Sequence, residues 1–295
     1  VPGEFDFIQW LATQQSPHGG VRTGIGDDLA VLKWRADDLL LVGVDQVLDG
    51  VHFDSAVHGP REIGAKAMNR NLSDCAAMAA LPAAAVAAVA LPHGVGTEYA
   101  RELYHGMREA ADRFDCALVG GDTGSWPGKL AVSVTILGRS AGVVPVTRSG
   151  AQAGDGIFVT GPLGGSIGGR HMRFEPRVKL ARELATQCRV TAMIDLSDGL
   201  SRDLAHICRA SGVGALIDSG HLPLHADIAS NQRPDWSAAE HAVNDGEDYE
   251  LLFTAAVCEH PSAVLVGEIT QEPGVRWVTA RGIEPLLERA WEHPL

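Results

Sequence analysis

The chain has 295 residues, 45% of them hydrophobic and 21% charged, with 24 basic against 37 acidic side chains and a net charge of −13. This is globular composition with room for one large or two medium domains, and it excludes a wholly disordered chain. The acidity makes nucleic acid and anionic membrane poor partners.

In chain order, the apolar run Leu39 to Val44 predicts a buried strand ending at Asp45. Apolar residues at helical spacing predict a helix over Ile63 to Met78 and another over Thr97 to Phe114, the second with Thr97 and Glu98 suited to its N-terminal cap. The uncharged stretch Ala76 to Pro92 is broken by Pro82 and is shorter than the ~20 apolar residues of a membrane span. It reads as a helix end followed by a buried strand. Ala117 to Val119 predicts a strand ending in Gly120-Gly121-Asp122, and Leu130 to Gly138 another. Glycines and Arg148 between Val146 and Gly156 suggest a connection, which divides the chain into domains of residues 1–147 and 148–295. Beyond it come a strand at Ile157 to Thr160, a glycine-rich segment from Gly161 to Gly169, and a helix at Val178 to Thr186. A strand from Thr191 to Ile194 ends at Asp195. A helix from Leu200 to Ala210 is closed by Gly212, residues 226–242 read as loop and helix, and Tyr249 to Ala256 alternates as a strand. Strands and helices alternating through both halves indicate an α/β or α+β protein.

The five cysteines, Cys75, Cys116, Cys188, Cys208 and Cys258, are odd in number and widely spaced, with no C-x-x-C. That argues against a disulfide scaffold or a thiolate zinc site and fits a reducing compartment. The N-terminal residues carry no basic-plus-apolar signal pattern, so a cytoplasmic protein is expected.

Standard nucleotide motifs are missing. Leu29 stands where a dinucleotide fingerprint starting at Gly24 needs its third glycine, and the segment Gly124 to Leu130 is one residue short of a P-loop and lacks its Ser/Thr. The segment Gly161 to Gly169 has the composition of either a phosphate loop or a surface loop. Aspartates at expected strand ends and turns are more telling: Asp27, Asp28, Asp45, Asp122, Asp195 and Asp198, with Asp74 on a helix. Any one of them reads as a turn or cap residue. Several converging at one sheet edge would repel one another unless cations or protons intervened. A carboxylate set without histidine or thiolate suits a hard cation such as Mg²⁺, with phosphate completing its shell. His52, soon after Asp45, lies near that presumed cluster.

The ordered set Gly24 to Asp28, Asp45 with Gly50 to Phe53, Asn71 to Asp74, Gly120 to Thr123, Thr147 to Gly150, Asp195 to Gly199 and Gly246 to Leu251 resembles the thiamine-monophosphate kinase family. That family lies in the superfamily of aminoimidazole ribonucleotide synthetase, selenophosphate synthetase and a hydrogenase maturation factor. The resemblance implies a two-domain fold whose N-terminal sheet pairs across a homodimer and whose C-terminal half forms α/β layers. It implies direct transfer of the γ-phosphate of ATP onto thiamine phosphate with several Mg²⁺ ions. By that resemblance Asp27, Asp45, Asp74, Asp122, Asp195 and Asp198 match magnesium ligands, with Asp28 beside them. Tyr104, Gly121, Asp122, Arg148 and Ser197 match ATP contacts. His52, either Glu247 or Glu250, and Trp291 match substrate contacts. The acceptor phosphate is already ionised at neutral pH, so no general base is needed beyond metal and positioning residues. One departure stands out: Gly43, Val44 and Gln46 surround Asp45 where the family usually carries hydroxyls, which puts the number and affinity of the metal ions in question. The competing expectation is a superfamily member that binds ATP and Mg²⁺ but acts on another substrate or does not turn over.

Overall fold

The structure, a computed structural model, describes residue 13 and residues 20–24 and 26–290. The first half builds a six-stranded sheet from β1 (Val21–Thr23), β2 (Ala30–Arg35), β3 (Asp38–Leu48), β4 (Leu81–Pro92), β5 (Ala117–Trp126) and β6 (Ala131–Arg139), in the order β1-β2-β3-β6-β4-β5. Neighbours are antiparallel except β4 and β5. The two-residue period is clearest on β6, where Val132, Val134 and Ile136 are buried and Ala131, Ser133, Thr135 and Leu137 are not. Helices α1 (Pro60–Ala77) and α2 (Gly96–Asp112) cover the inner face. They cross closely because both carry glycine at the contact. A Cβ at Gly64 would lie 2.1 Å from the Leu103 carbonyl oxygen, and one at Gly106 would lie 1.9 Å from that of Arg61.

The second half builds a seven-stranded sheet from β7 (Gly156–Val159), β8 (Val190–Asp195), β9 (Gly214–Asp218), β10 (Leu251–Ala255), β11 (Val264–Thr270), β12 (Gly274–Thr279) and β13 (Gly282–Pro285), ordered β13-β12-β9-β11-β7-β10-β8. On one face lies α4 (Leu200–Ser211), with Leu200, Leu204 and Ile207 in the core, beside α5 (Ala238–Asn244). On the other lies α3 (Val178–Gln187), whose Ala181 and Leu184 pack with the stacked pair Phe158 and Phe253. Strand β10 is therefore buried on both sides and reads as one apolar run rather than as an alternation. Helix α1 touches β3 and β6 of the first sheet and β8 and α3 of the second. This explains its weak amphipathicity: with protein on every side, Lys66, Asn69, Asn71 and Ser73 are all buried.

Several expectations need correction. Asp45 and Asp122 do not end strands. β3 runs on to Leu48 and β5 to Trp126, because both residues remain paired in the ladder, Asp45 to Val134 and Asp122 to Ala88. Helix α2 starts at Gly96, and no side chain caps it. The cysteine spacing argued against disulfides, yet Cys188 and Cys258 are bonded. Cys188 precedes β8 and Cys258 follows β10, and these antiparallel neighbours bring the two together across 70 residues of chain. Cys75, Cys116 and Cys208 are buried free thiols. Among the described residues, no helix is long and apolar enough to cross a membrane.

Candidate active site

Where the two sheets meet at α1, carboxylates from three elements converge. Asp28 comes from the turn before β2, Asp74 from the last turns of α1 and Asp195 from the end of β8, and one oxygen from each lies within 4.8 Å of the others. Ser73 donates to Asp195 Oδ2 at 2.6 Å. Arg148 grips Asp28 through Nε at 3.1 Å and Nη2 at 2.9 Å, and its backbone N–H donates to Asp27. Burial, then the charges of Asp45, Asp195 and Asp28, pushes the Asp74 carboxyl well above its ordinary range. Burial, then Asp28, raises Asp195 to about 7, and burial followed by Asp28 raises Asp27 to about 6. Such a cluster holds protons, or a cation, more tightly than water-exposed carboxylates do.

Beside this triad the charges are compensated. Arg70 on α1 donates to Asp45 through Nε at 2.6 Å and Nη2 at 3.3 Å. One turn earlier, the fully buried Lys66 donates to Glu247 Oε2 at 2.6 Å and to the His52 carbonyl at 2.6 Å, and it lies 2.7 Å from His171 Nδ1. Burial lowers Lys66 to about 8. Burial alone would raise Glu247, but a hydrogen bond with His171 and the charges of Lys66 and Arg70 bring it down to about 2. The backbone here is forced: Gly246, Glu247 and Tyr249 have φ of 72°, 52° and 52°. Left-handed conformations are costly for the two non-glycine residues. They are held by the Lys66 contacts and by Tyr249 stacked on Phe174, with ring centroids 3.7 Å apart. Glu247, Arg70, His52, Ser197 and Asp198 line one pocket of about 210 Å³.

A second cavity, of about 400 Å³, lies between α2 and the outer strands β4 and β5 and is lined by Tyr104, Gly121 and Asp122. Gly121 lets β5 approach β4, since a Cβ there would sit 1.9 Å from the Ala87 carbonyl oxygen. Strand β6 lies between β4, a wall of this cavity, and Asp45 on β3.

The AIR synthase related protein N-terminal domain model matches residues 26–140. A thiamine-monophosphate kinase from Rhodopirellula baltica is 45% identical over 263 residues, covering 86% of this chain and 82% of that protein. The chain belongs to the thiamine-monophosphate kinase family. The Bacillus subtilis thiamine-monophosphate kinase is 34% identical, covering 86% of this chain and 83% of its own. The solved structure of AaThiL complexed with AMPPCP and TMP superposes with a TM-score of 0.86 at 29% identity, covering 99% of this chain and 97% of that one.

Within this thiamine-monophosphate kinase fold, the residues nominated from sequence fall into separate groups. Asp28, Asp74 and Asp195 form the triad, with Asp27 adjacent. Asp45 borders it but is held by Arg70. Asp198, Ser197, His52 and Glu247 share the smaller pocket, and Tyr104, Gly121 and Asp122 share the larger one. Glu250 is tied into the scaffold by Thr160 Oγ1 at 2.6 Å and Arg177 Nε at 2.9 Å, and it does not line the pocket. Trp291 lies outside the described residues. The Gly161 to Gly169 segment is not an open phosphate cradle, because the N–H groups of Gly164 and Gly165 already donate to Asp248 and Asp245. Sequence reasoning missed Lys66, Arg70 and His171. For two of them a signal existed: Lys66, Arg70 and Asp74 recur every four residues and so share one face of α1.

Proposed function

We propose that this chain transfers the γ-phosphate of ATP to thiamine phosphate in a Mg²⁺-dependent reaction, giving thiamine diphosphate and ADP. The observation that carries this reading is the converging Asp28–Asp74–Asp195 triad, with Asp195 buried and the other two half-buried, beside a pocket of mixed charge, in a chain whose relatives are named thiamine-monophosphate kinases. Three carboxylate donors without histidine or thiolate fit a hard divalent cation. Mg²⁺ bound there would neutralise phosphate charge as the two anions approach.

The chain's own groups do the positioning. Arg148 fixes Asp28, and Ser73 orients Asp195. Asp27 stays at the rim with its carboxyl raised to about 6. The pocket lined by His52, Ser197, Asp198 and Glu247 receives thiamine phosphate, with Glu247 rather than Glu250 facing it. Trp291 remains our candidate for an aromatic on the thiamine ring. The acceptor oxygen is already an anion, so rate comes from alignment and charge neutralisation rather than from a general base.

We assign Tyr104, Gly121 and Asp122 to the nucleotide side. Strand β5 is a sheet edge almost wholly exposed along its length, with Val119 and Trp126 uncovered, and Val86 is exposed on the neighbouring β4. An unpaired edge of this kind suits pairing with a second copy, so we propose a homodimer that closes the larger cavity. We take residues 1–147 and 148–295 as the two domains, and the ATP requirement suits a cytoplasmic setting. The test is a product assay with ATP, Mg²⁺ and thiamine phosphate, with free thiamine and aminoimidazole-pathway substrates as controls. Thiamine diphosphate formed only with thiamine phosphate supports the reading, and no product at high Mg²⁺ rejects it.

A further inference from the structure

The seven candidate metal-binding aspartates are not equivalent. The Asp45 carboxylate meets a guanidinium side-on, with Nε 2.6 Å from Oδ2 and Nη2 3.3 Å from Oδ1. This two-point fork is the geometry in which arginine binds carboxylate best, and the partners are largely withdrawn from water, with side chains 14% and 26% exposed. The remaining edge of the guanidinium points toward Glu247, with Nη1 3.8 Å from Oε1. Glu247 is itself clamped by Lys66, so its position is fixed. Arg70 thus bridges two carboxylates from different halves of the fold, at the wall of the pocket and within electrostatic reach of Asp74.

A divalent cation added at Asp45 would face this fixed positive charge at close range. Charge balance points the same way. Of the clustered aspartates, Asp28 and Asp45 are each paired with an arginine, whereas Asp74 and Asp195 face one another and Asp28 and, among the described residues, form no ion pair with a cation.

We propose that Arg70 is a resident cation that takes the place of a metal ion at Asp45, so that divalent ions are held on the Asp28–Asp74–Asp195 side. This rests on the reading of that triad as the magnesium site of a kinase.

The test counts ions rather than turnover. Mn²⁺ bound per chain is measured by electron paramagnetic resonance with a non-hydrolysable ATP analogue, on the full chain and on folded variants checked by circular dichroism. Arg70→Gln is expected to bind one more Mn²⁺ than the parent, and Asp45→Asn in that background is expected to remove the extra ion. Arg70→Lys, which keeps the charge, is expected to match the parent. Asp45→Asn alone is expected to leave the parent count unchanged, which provides a decision even where Arg70→Gln folds poorly. An unchanged count in folded Arg70→Gln, or the loss of one ion in Asp45→Asn, overturns the proposal. A parent chain that makes no thiamine diphosphate while Arg70→Gln still gains an Asp45-dependent ion would overturn the kinase reading and leave the role of Arg70 standing.

Discussion

The acidic triad and the α2–β5 cavity both border the six-stranded sheet, yet they differ in completeness. Asp28, Asp74 and Asp195 come from three elements of one chain, are buried or half-buried, and two of them are oriented within it, Asp195 by Ser73 and Asp28 by Arg148. Tyr104 on α2 and Asp122 on the edge strand β5 stand exposed. The difference follows from the place of each in the fold. The triad lies where α1 is enclosed by both sheets, whereas among the described residues β5 has a neighbour on one side only. Burial shifts protonation and fixes geometry within a single chain, while an edge strand gains its second wall by association.

The comparison breaks most readily at the triad. Asp74→Asn and Asp195→Asn are each expected to lower kcat/KM by at least ~10³-fold, a transition-state loss of about 4 kcal/mol. Both should fold, because each substitution removes a buried charge from a repelling group. Turnover near that of the parent at limiting Mg²⁺ in either variant would remove the triad from the mechanism.

Next in size is the edge. Gly121→Val places a side chain against the Ala87 backbone oxygen, where a Cβ alone would come to 1.9 Å. Prising β5 from β4 should cost roughly 2–4 kcal/mol of stability, weaken ATP binding and, on the homodimer reading, shift sedimentation toward monomer. An unaltered Tm together with an unaltered KM for ATP would mean that β5 is not the nucleotide wall.

A third, smaller effect separates protons from metal. Asp195 and Asp27 have carboxyls raised by burial above the ordinary value of 3.8, so their stabilising contribution is present at low pH and is lost as pH rises through about 7 for the first and about 6 for the second, and Asp74, raised well above 3.8 by burial and its acidic neighbours, acts in the same sense. His52, lowered by burial and Arg70 to about 4, and His206, lowered to about 3, act in the opposite sense below the ordinary histidine value of 6.5. Comparing Tm with and without Mg²⁺ at each pH cancels the histidine contribution. Mg²⁺ should raise Tm by several degrees at pH 8, a difference of ~1–2 kcal/mol, and by little at pH 5, where protons already satisfy the cluster. An equal rise at both values would place the bound ion elsewhere.

These contrasts also show what the sequence could and could not convey. The helix ends near Gly212, the strand leading to Asp195 and the carboxylate-rich chemistry are local properties, and they were legible from apolar spacing and turn residues. That Asp45 and Asp122 lie within long strands was not, because pairing with Val134 and Ala88 depends on residues distant in the chain. The Cys188–Cys258 bond was hidden for the same reason. Arg70 and Lys66 were passed over because charged residues on a helix ordinarily face solvent, and nothing local to α1 announces that a second sheet covers it. Glu247 and Glu250, three residues apart, could be told apart only once Arg177 and Lys66 had been placed.

The smallest expected effect concerns Val44 and Gln46. Read as a motif, they are lost hydroxyl ligands around Asp45, and restoring threonine should then lower the Mg²⁺ requirement. The strand geometry argues otherwise. Successive side chains on β3 alternate between faces. Leu41 and Val47 are buried and Asp45 meets Arg70 of α1, so all three odd-numbered side chains point inward. Val44 is 66% exposed, and Gln46 donates to Ser133 Oγ on the outer face of β6. Hydroxyls at positions 44 and 46 would therefore lie on the side of the sheet away from the triad. The Val44→Thr, Gln46→Thr double variant is expected to change the Mg²⁺ concentration for half-maximal rate by less than about twofold, within the ~0.5 kcal/mol of an ordinary surface substitution. A severalfold fall would mean that the outer face of β3 borders a metal after all. Among the described residues that face is open at Val44, so a remaining wall from a second copy would turn the contrast between a complete triad and an incomplete edge into one site shared across the dimer.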